Sequence, residues 1–259
     1  MITILKSMLS HPLTKGLSID DPKTTQLRKK IILEKPFLKR IYEEWYMFIA
    51  SSLPQGKEPI LELGSGAGFL REFIPGLIAS DILQLADVDI ILDGYSLPFR
   101  NSALRGIIMV NVFHHLCRPK VFLKEATRCV QPAGVLLMIE PWVTPWSRWV
   151  YQRLHHEPFL PQAQDWGFER GGPLSAANGA LAWIVFDRDR KLFETDFSEW
   201  KIQEIKLIMP FRYLVSGGVS LKNLVPGWSY PFWKNLEKIL QPHMHKLAMF
   251  AQISLVRQD

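Results

Sequence analysis

The stretch Pro59-Ile60-Leu61-Glu62-Leu63-Gly64-Ser65-Gly66-Ala67-Gly68-Phe69-Leu70 constrains this chain more than any other. An apolar run of the kind that forms a buried parallel strand ends near an acid, and three glycines follow at alternate positions. Glycine permits a sharp backbone turn and leaves main-chain amides bare for close approach. A nucleotide-like cofactor seated on the end of a parallel strand needs both properties. A dinucleotide fingerprint of the form G-x-G-x-x-G would put its third glycine at position 69, where this chain has Phe69.

Strand and helix signals alternate around that loop. Residues 60–64, 77–81, 88–92, 105–111 and 135–140 read as strands 1 to 5. A helix is expected at 69–74, ended by Pro75-Gly76, and another at 119–130 with Phe122, Leu123, Ala126 and Val130 on one face. A turn is expected at 131–134. Upstream, apolar residues from Leu27 to Ile49 recur at helical spacing, and Pro36 divides them into two helices. The rhythm breaks after Pro141; strand 6 is expected at about 200–208 and a terminal strand at 247–256. Such alternation predicts an α/β fold with helices on both faces of a mostly parallel sheet. The 259 residues suffice for one domain with insertions. Its expected parts are an N-terminal helical cap over 1–55, a cofactor-binding core over 56–141, an insertion over 142–199 that meets the acceptor, and C-terminal strands with a helical insertion over 200–259.

The apolar fraction of 47% and charged fraction of 22% are those of a soluble globular chain, which excludes disordered and fibrous classes. The net charge of +6 leaves general solubility, an acidic substrate or an anionic membrane surface open. Arg28-Lys29-Lys30 is the only basic run, so no nucleic-acid partner is expected. Two cysteines, Cys117 and Cys129, fit a reducing compartment better than a disulfide scaffold. The apolar part of the N-terminus is too short for a signal peptide, and no window is long enough to span a bilayer. The expected location is the cytoplasm, with peripheral membrane contact left open.

The glycine loop is followed by Ser80-Asp81, by Asp93-Gly94-Tyr95-Ser96-Leu97-Pro98-Phe99, by Val110-Asn111-Val112-Phe113-His114-His115-Leu116, and by Ile139-Glu140-Pro141. This series resembles class I S-adenosylmethionine (SAM)-dependent methyltransferases, specifically the small-molecule type 11 group. The resemblance covers residues 60–141 and implies a Rossmann-like seven-stranded sheet of order 3-2-1-4-5-7-6 with the last strand antiparallel. It assigns Gly64, Ser65, Gly66 and Gly68 to the turn under the methionine part of SAM and places Glu62 near the methionine ammonium. Asp81 takes the position that accepts from the ribose hydroxyls, with Asp87 and Asp89 as nearby alternatives. Asp93 fits the acid that meets the adenine amino group, with Gly94, standing where Ala is usual, and Leu97 and Pro98 walling the base. Asn111 falls at the rim under the sulfonium. The short link between strands 2 and 3 departs from the family pattern and bears on the adenine and ribose walls.

Methyl transfer requires alignment, exclusion of water and, for some acceptors, removal of a proton. His114, His115 and Glu140 are the candidate catalytic residues. Adjacent residues at a strand end point different ways, so one histidine is expected to face the pocket and the other to pack. His155-His156-Glu157 is a weak ligand set because consecutive helical residues diverge by about 100°, and no metal is expected. Tyr42, Trp45 and Tyr46 are either a lid or an amphipathic stripe. Trp228, Tyr230, Phe232 and Trp233 suit an acceptor pocket or a lipid surface. The expected activity is methyl transfer to a small or lipid-like acceptor, most readily on oxygen. The alternative is a non-catalytic protein that keeps the fold and binds at a membrane surface or in a complex. A nucleic-acid amino-methyltransferase is disfavoured, since no Asn/Asp-Pro-Pro-aromatic stretch follows strand 4.

Overall fold

The computed structural model describes residues 11–13, 16–155 and 157–259. The readings that concern the first ten residues and His156 lie outside the described residues. The strands are β1 (Ile60–Leu63), β2 (Leu77–Asp81), β3 (Ile90–Ile91), β4 (Leu104–Val110), β5 (Val130–Pro141), β6 (Trp200–Ile208) and β7 (Phe250–Arg257). They form one sheet in the expected order β3-β2-β1-β4-β5-β7-β6. Strands β1 to β5 pair in parallel, and β7 runs antiparallel to both β5 and β6. Leu61, Ile107, Ile108, Leu136, Leu137 and Met138 are all fully buried. Both faces of the central strands are therefore covered, as their unbroken apolar sequences require.

Helices α1 (Pro22–Glu34) and α2 (Pro36–Ser51) meet at Lys35, whose following proline starts the second helix. Lys35 is buried, and its Nζ donates to the carbonyls of Gly218 at 2.7 Å and Leu221 at 3.0 Å. Burial lowers its pKa to about 8. Helix α3 (Pro119–Cys129) turns Phe122, Leu123 and Ala126 onto the sheet. Helix α4 (Pro145–Leu154) starts at a reciprocal cap between Thr144 and Ser147. Helices α5 (Arg190–Asp196) and α6 (Tyr230–Ile239) belong to the segments flanking β6.

Four local expectations change. The helix expected at 69–74 is a single 3-10 turn, Leu70–Glu72. Too few residues separate the glycine loop from β2 for a helix to run back. Phe69 and Phe73 instead anchor the segment on Tyr46, with ring centroids 4.9 and 5.5 Å away. Strand β3 shrinks to two residues because Asp89 leaves the extended path to accept from the Ala79 amide at 2.9 Å. The turn expected at 131–134 is absorbed into β5 as an irregularity, with Ala133 at φ +59° and a register shift against β4. The terminal strand starts only at Phe250, since Met244–Leu247 forms a helical turn.

The three aromatic residues Tyr42, Trp45 and Tyr46 are buried core residues of α2. Trp45 stacks on Tyr213, with centroids 5.8 Å apart. The C-terminal insertion is tied to the same helix by a buried ionic network. Arg212 Nε donates to Glu237 Oε2 at 2.5 Å, and its Nη1 donates to Glu44 Oε2 at 2.7 Å and to the Tyr230 hydroxyl at 2.8 Å. Arg212 and Glu237 are both almost fully enclosed. Removing one partner of such a pair leaves a buried charge unmatched, at about 3–5 kcal/mol. Glu237→Ala is accordingly expected to lower the melting temperature by on the order of 10 °C, readable by thermal denaturation, whereas Lys234→Ala on the exposed edge of the network should shift it little.

Candidate active site

The turn after β1 is built by close approach. Gly64 lies at φ +71°, and a Cβ there would sit 2.6 Å from Val112 Cγ2. Gly68 faces α2, where a Cβ would sit 2.7 Å from the Tyr46 hydroxyl oxygen. The Ser65 amide donates to the Ser80 carbonyl at 2.8 Å and fastens the turn to β2. The Gly66 amide donates to Asp81 Oδ2 at 2.9 Å, while Asp81 Oδ1 accepts from the Leu83 amide at 2.8 Å. Glu62 is buried at the end of β1 and accepts from the Ser65 hydroxyl at 2.8 Å. Burial raises its pKa to about 7, against the Ser65 hydrogen bond and with the Asp81 charge.

Beyond the turn lies a cavity of about 190 Å³ at the carboxyl ends of β1, β2 and β4. Gly64, Asp81, Asp93, Gly94, Asn111 and His115 all line it. These positions converge as strand ends do in open parallel sheets. Asp93 Oδ1 accepts from the Tyr95 amide at 3.0 Å, which turns the chain sharply at the cavity wall. Asn111 adopts φ +57° as the chain leaves β4. Asp87 and Asp89 do not compete for the site, because they pair with Lys29 and Arg71. Leu97 is buried but does not line the cavity. Its amide donates to Glu125 Oε2 at 2.9 Å and its carbonyl accepts from Arg128 at 2.9 Å, which turns it into the packing of α3.

The far wall comes from the expected insertion, through residues that were not among the expected site residues. Arg170, Gly171, Gly172, Pro173, Leu174 and Ala176 close over the cavity. Asp20, upstream of α1, holds this strap by accepting from the amides of Leu174 at 2.7 Å and Ser175 at 3.0 Å. The Gly171-Gly172-Pro173 run signals a turn in the sequence but not where it lands. A second recess of about 500 Å³ beside β6 shares no residue with this cavity. The aromatic residues at 228–233 line neither.

A polar corner adjoins the cavity. Glu140 is fully buried; its Oε1 accepts from the amides of Val112 and Phe113, each at 2.8 Å, and its Oε2 meets His114 Nδ1 at 2.6 Å. Glu140 is thus a support for the turn after β4 rather than a group facing an acceptor. His114 Nε2 lies 3.4 Å from Glu157 Oε2. Burial opposes its charge, but Glu140 and then Glu157 outweigh that effect, and its pKa rises to about 10. His115 lies at the cavity wall, its ring centroid 4.2 Å from that of His114. Burial and the neighbouring His114 charge lower its pKa to about 3, so it stays neutral. Glu157, absent from the expected catalytic set, enters from the insertion.

These residues fit an adenosyl sulfonium. Asp81 and Asp93 are acceptor-only groups suited to hydroxyl and amino donors, and Glu62 suits an ammonium. Thr25 Oγ1 and Arg28 Nε on α1 are buried without a hydrogen-bond partner among the described residues. Thr25 Cγ2 is 3.9 Å from a Cβ built at Gly66, so α1 brings the Thr25 hydroxyl beside the glycine loop. The raised pKa of Glu62 means that its ionisation opposes folding as pH rises from about 4.5 through about 7. A cationic amine bound beside it favours the ionised form. SAM affinity is therefore expected to weaken as pH falls from 8 to 6, approaching tenfold per pH unit below 7; titration calorimetry should show proton release on binding, and Glu62→Gln should abolish both the release and the pH dependence.

Residues 61–138 match the family model of the methyltransferase domain known as Methyltransf_11. No curated protein sequence matches the chain. Among solved structures, it is similar to geranyl diphosphate C-methyltransferase from Streptomyces coelicolor A3(2), crystallised with Mg2+, geranyl-S-thiolodiphosphate and S-adenosyl-L-homocysteine. That similarity has TM-score 0.53 at 12% identity over 90% of this chain and 81% of the other. A SAM-dependent methyltransferase from Thermotoga maritima matches with TM-score 0.52 at 13% identity over 90% of this chain and 99% of the other. At these identities the structures speak for the fold, and the family model speaks for the core that carries the glycine loop. Residues 61–138 thus carry a methyltransferase domain of this family, within a sheet that has the fold of SAM-dependent methyltransferases.

Proposed function

We propose that this protein methylates a hydroxyl oxygen of a small or lipid-like acceptor that meets the His114–His115–Glu157 corner. The observation that carries the reading is the placement of His115. It shares the cavity wall with Asn111 and Val112 while packing on His114, which pairs with the buried Glu140 and the half-buried Glu157. Bound SAM would supply the methyl group from its sulfonium, leaving the neutral thioether as the oxygen–methyl bond forms, and the hydroxyl proton would pass to water.

The chain's own residues do the rest. Glu62, Asp81 and Asp93 orient the cofactor, and the strap at 170–176 keeps water from the nucleoside half. Glu140 holds the turn that carries both histidines. The His115 Nδ1 lies 3.1 Å from the Ala176 carbonyl, which assigns the ring proton to Nδ1 and leaves Nε2 as the lone pair available to the corner. Val112, Leu116 and Leu174 give the adjoining wall an apolar character that suits an acceptor with an apolar body.

The exposed aromatic edge favours a lipid-like acceptor or a membrane-surface role. Trp228 is 81% exposed, Phe232 64% and Ile239 75%, and Lys234 and Lys238 lie on the same helix. Among the described residues no helix is long and apolar enough to cross a membrane. Flotation with anionic vesicles tests this contact: Trp228→Ala with Phe232→Ala is expected to lose co-flotation, and a wild-type protein that stays with the soluble fractions would exclude it.

Incubation with methyl-labelled SAM and panels of hydroxy acids, phenols and lipid extracts tests the transfer itself. Label is expected in ethers or esters. His115→Ala should lower turnover by about 10²-fold or more while leaving SAM affinity within about threefold. Label on nitrogen or carbon alone would overturn the oxygen assignment.

A further inference from the structure

The two histidines and Glu157 have the arrangement of a metal centre. One ligand atom from each of His114, His115 and Glu157 lies within 4.8 Å of the others. Each imidazole has its Nδ1 facing an outer acceptor: Glu140 Oε2 at 2.6 Å for His114 and the Ala176 carbonyl at 3.1 Å for His115. With the Nδ1 proton kept toward its acceptor, an ion that displaces any Nε2 proton would meet the Nε2 lone pair. This is the outer support that metal-bound histidines commonly have. Glu140 in turn is fixed by two main-chain amides.

The spacing of this ion pair is also one that a ligand set adopts. A charge-assisted N–H···O bond is about 2.7–2.9 Å long. His114 Nε2 and Glu157 Oε2 are 3.4 Å apart. Two ligands about 2.05 Å from a tetrahedral zinc lie roughly 3.3 Å from each other. The observed separation matches an edge of that tetrahedron. The divergence that argued against a metal in the sequence concerned the consecutive set at 155–157. The set here takes His114 and His115 from the turn after β4, their ring centroids 4.2 Å apart, and Glu157 from a different segment.

We propose that His114, His115 and Glu157 bind a divalent transition cation of the zinc class, leaving a fourth position open toward the cavity that His115 lines. Two imidazoles and one carboxylate form a ligand set known for catalytic zinc, whose remaining position takes water or substrate. The inference rests on the proposed reading for its purpose: an acceptor hydroxyl in the open position loses its proton to solvent more readily and becomes the stronger nucleophile. The binding itself stands apart from that reading, because it needs neither SAM nor acceptor.

The test uses the full chain, stripped with a chelator and titrated with Co2+ and then Zn2+ without cofactor. One equivalent of Co2+ should develop visible absorption between about 500 and 650 nm of tetrahedral strength, displaced by Zn2+. His115→Ala and Glu157→Gln should each lose the band, and Glu140→Gln should weaken binding by about 10–100-fold. Circular dichroism and SAM-induced thermal shift establish that each variant is folded. A folded wild-type protein with no Co2+ band, or a band unchanged in both His115→Ala and Glu157→Gln, overturns the proposal. Metal binding without any methyl transfer would sink the proposed reaction and leave the site standing; transfer that persists in a protein shown not to bind Co2+ or Zn2+ would do the reverse.

Discussion

Glu140 is wholly enclosed, and it remains so only because each of its oxygens is matched. Two successive amides after β4 meet one oxygen, and the His114 ring meets the other. A buried carboxylate without partners is costly, and buried amides left unmatched cost about 1–3 kcal/mol each. These needs are met together in one conformation of the chain between Asn111 and His115. That conformation places Val112 against Gly64, where no larger residue fits, and points His115 at the cavity. The glycine turn after β1 and the polar corner after β4 are two sides of a junction closed by one side chain.

Much of this was legible in the sequence, for local reasons. Parallel strands covered on both faces must be nearly continuous apolar runs, so β1, β2 and β4 announce themselves, and polar residues at their ends share an edge of the sheet. The positions of Glu62, Asp81, Asp93 and Asn111 follow from that pattern, whereas the roles expected of them came from the resemblance. Leu97 was carried by resemblance alone, and the Glu125–Arg128 pair on α3 draws its backbone into local packing instead. The helix after the glycine loop failed because chain length between two strands decides whether a helix can return. Aromatic contacts with α2 took its place.

Glu157, Asp20 and the strap at 170–176 carry no periodic signal. Their positions follow from contacts across long sequence separations: Asp20 with the Leu174 amide, His114 with Glu157, Asn178 with the His114 carbonyl. Single-sequence patterns report what a segment does with its neighbours, and these segments act at a distance. The same holds for Glu140. Its place at a strand end fits either a group presented to an acceptor or a structural cap. Its depth, and the two amides it accepts from, favour the cap.

The tether from Asp20 to the strap joins the lead-in of α1 to the insertion that roofs the cavity. Thr25 stands further along α1, beside Gly66 of the glycine loop. The glycine loop, the lead-in of α1 and the roof of the cavity are consequently moored to one another. A loop grafted between 157 and 176 would have to keep the Leu174 and Ser175 amides within reach of Asp20, or the roof and the lead-in would come adrift together.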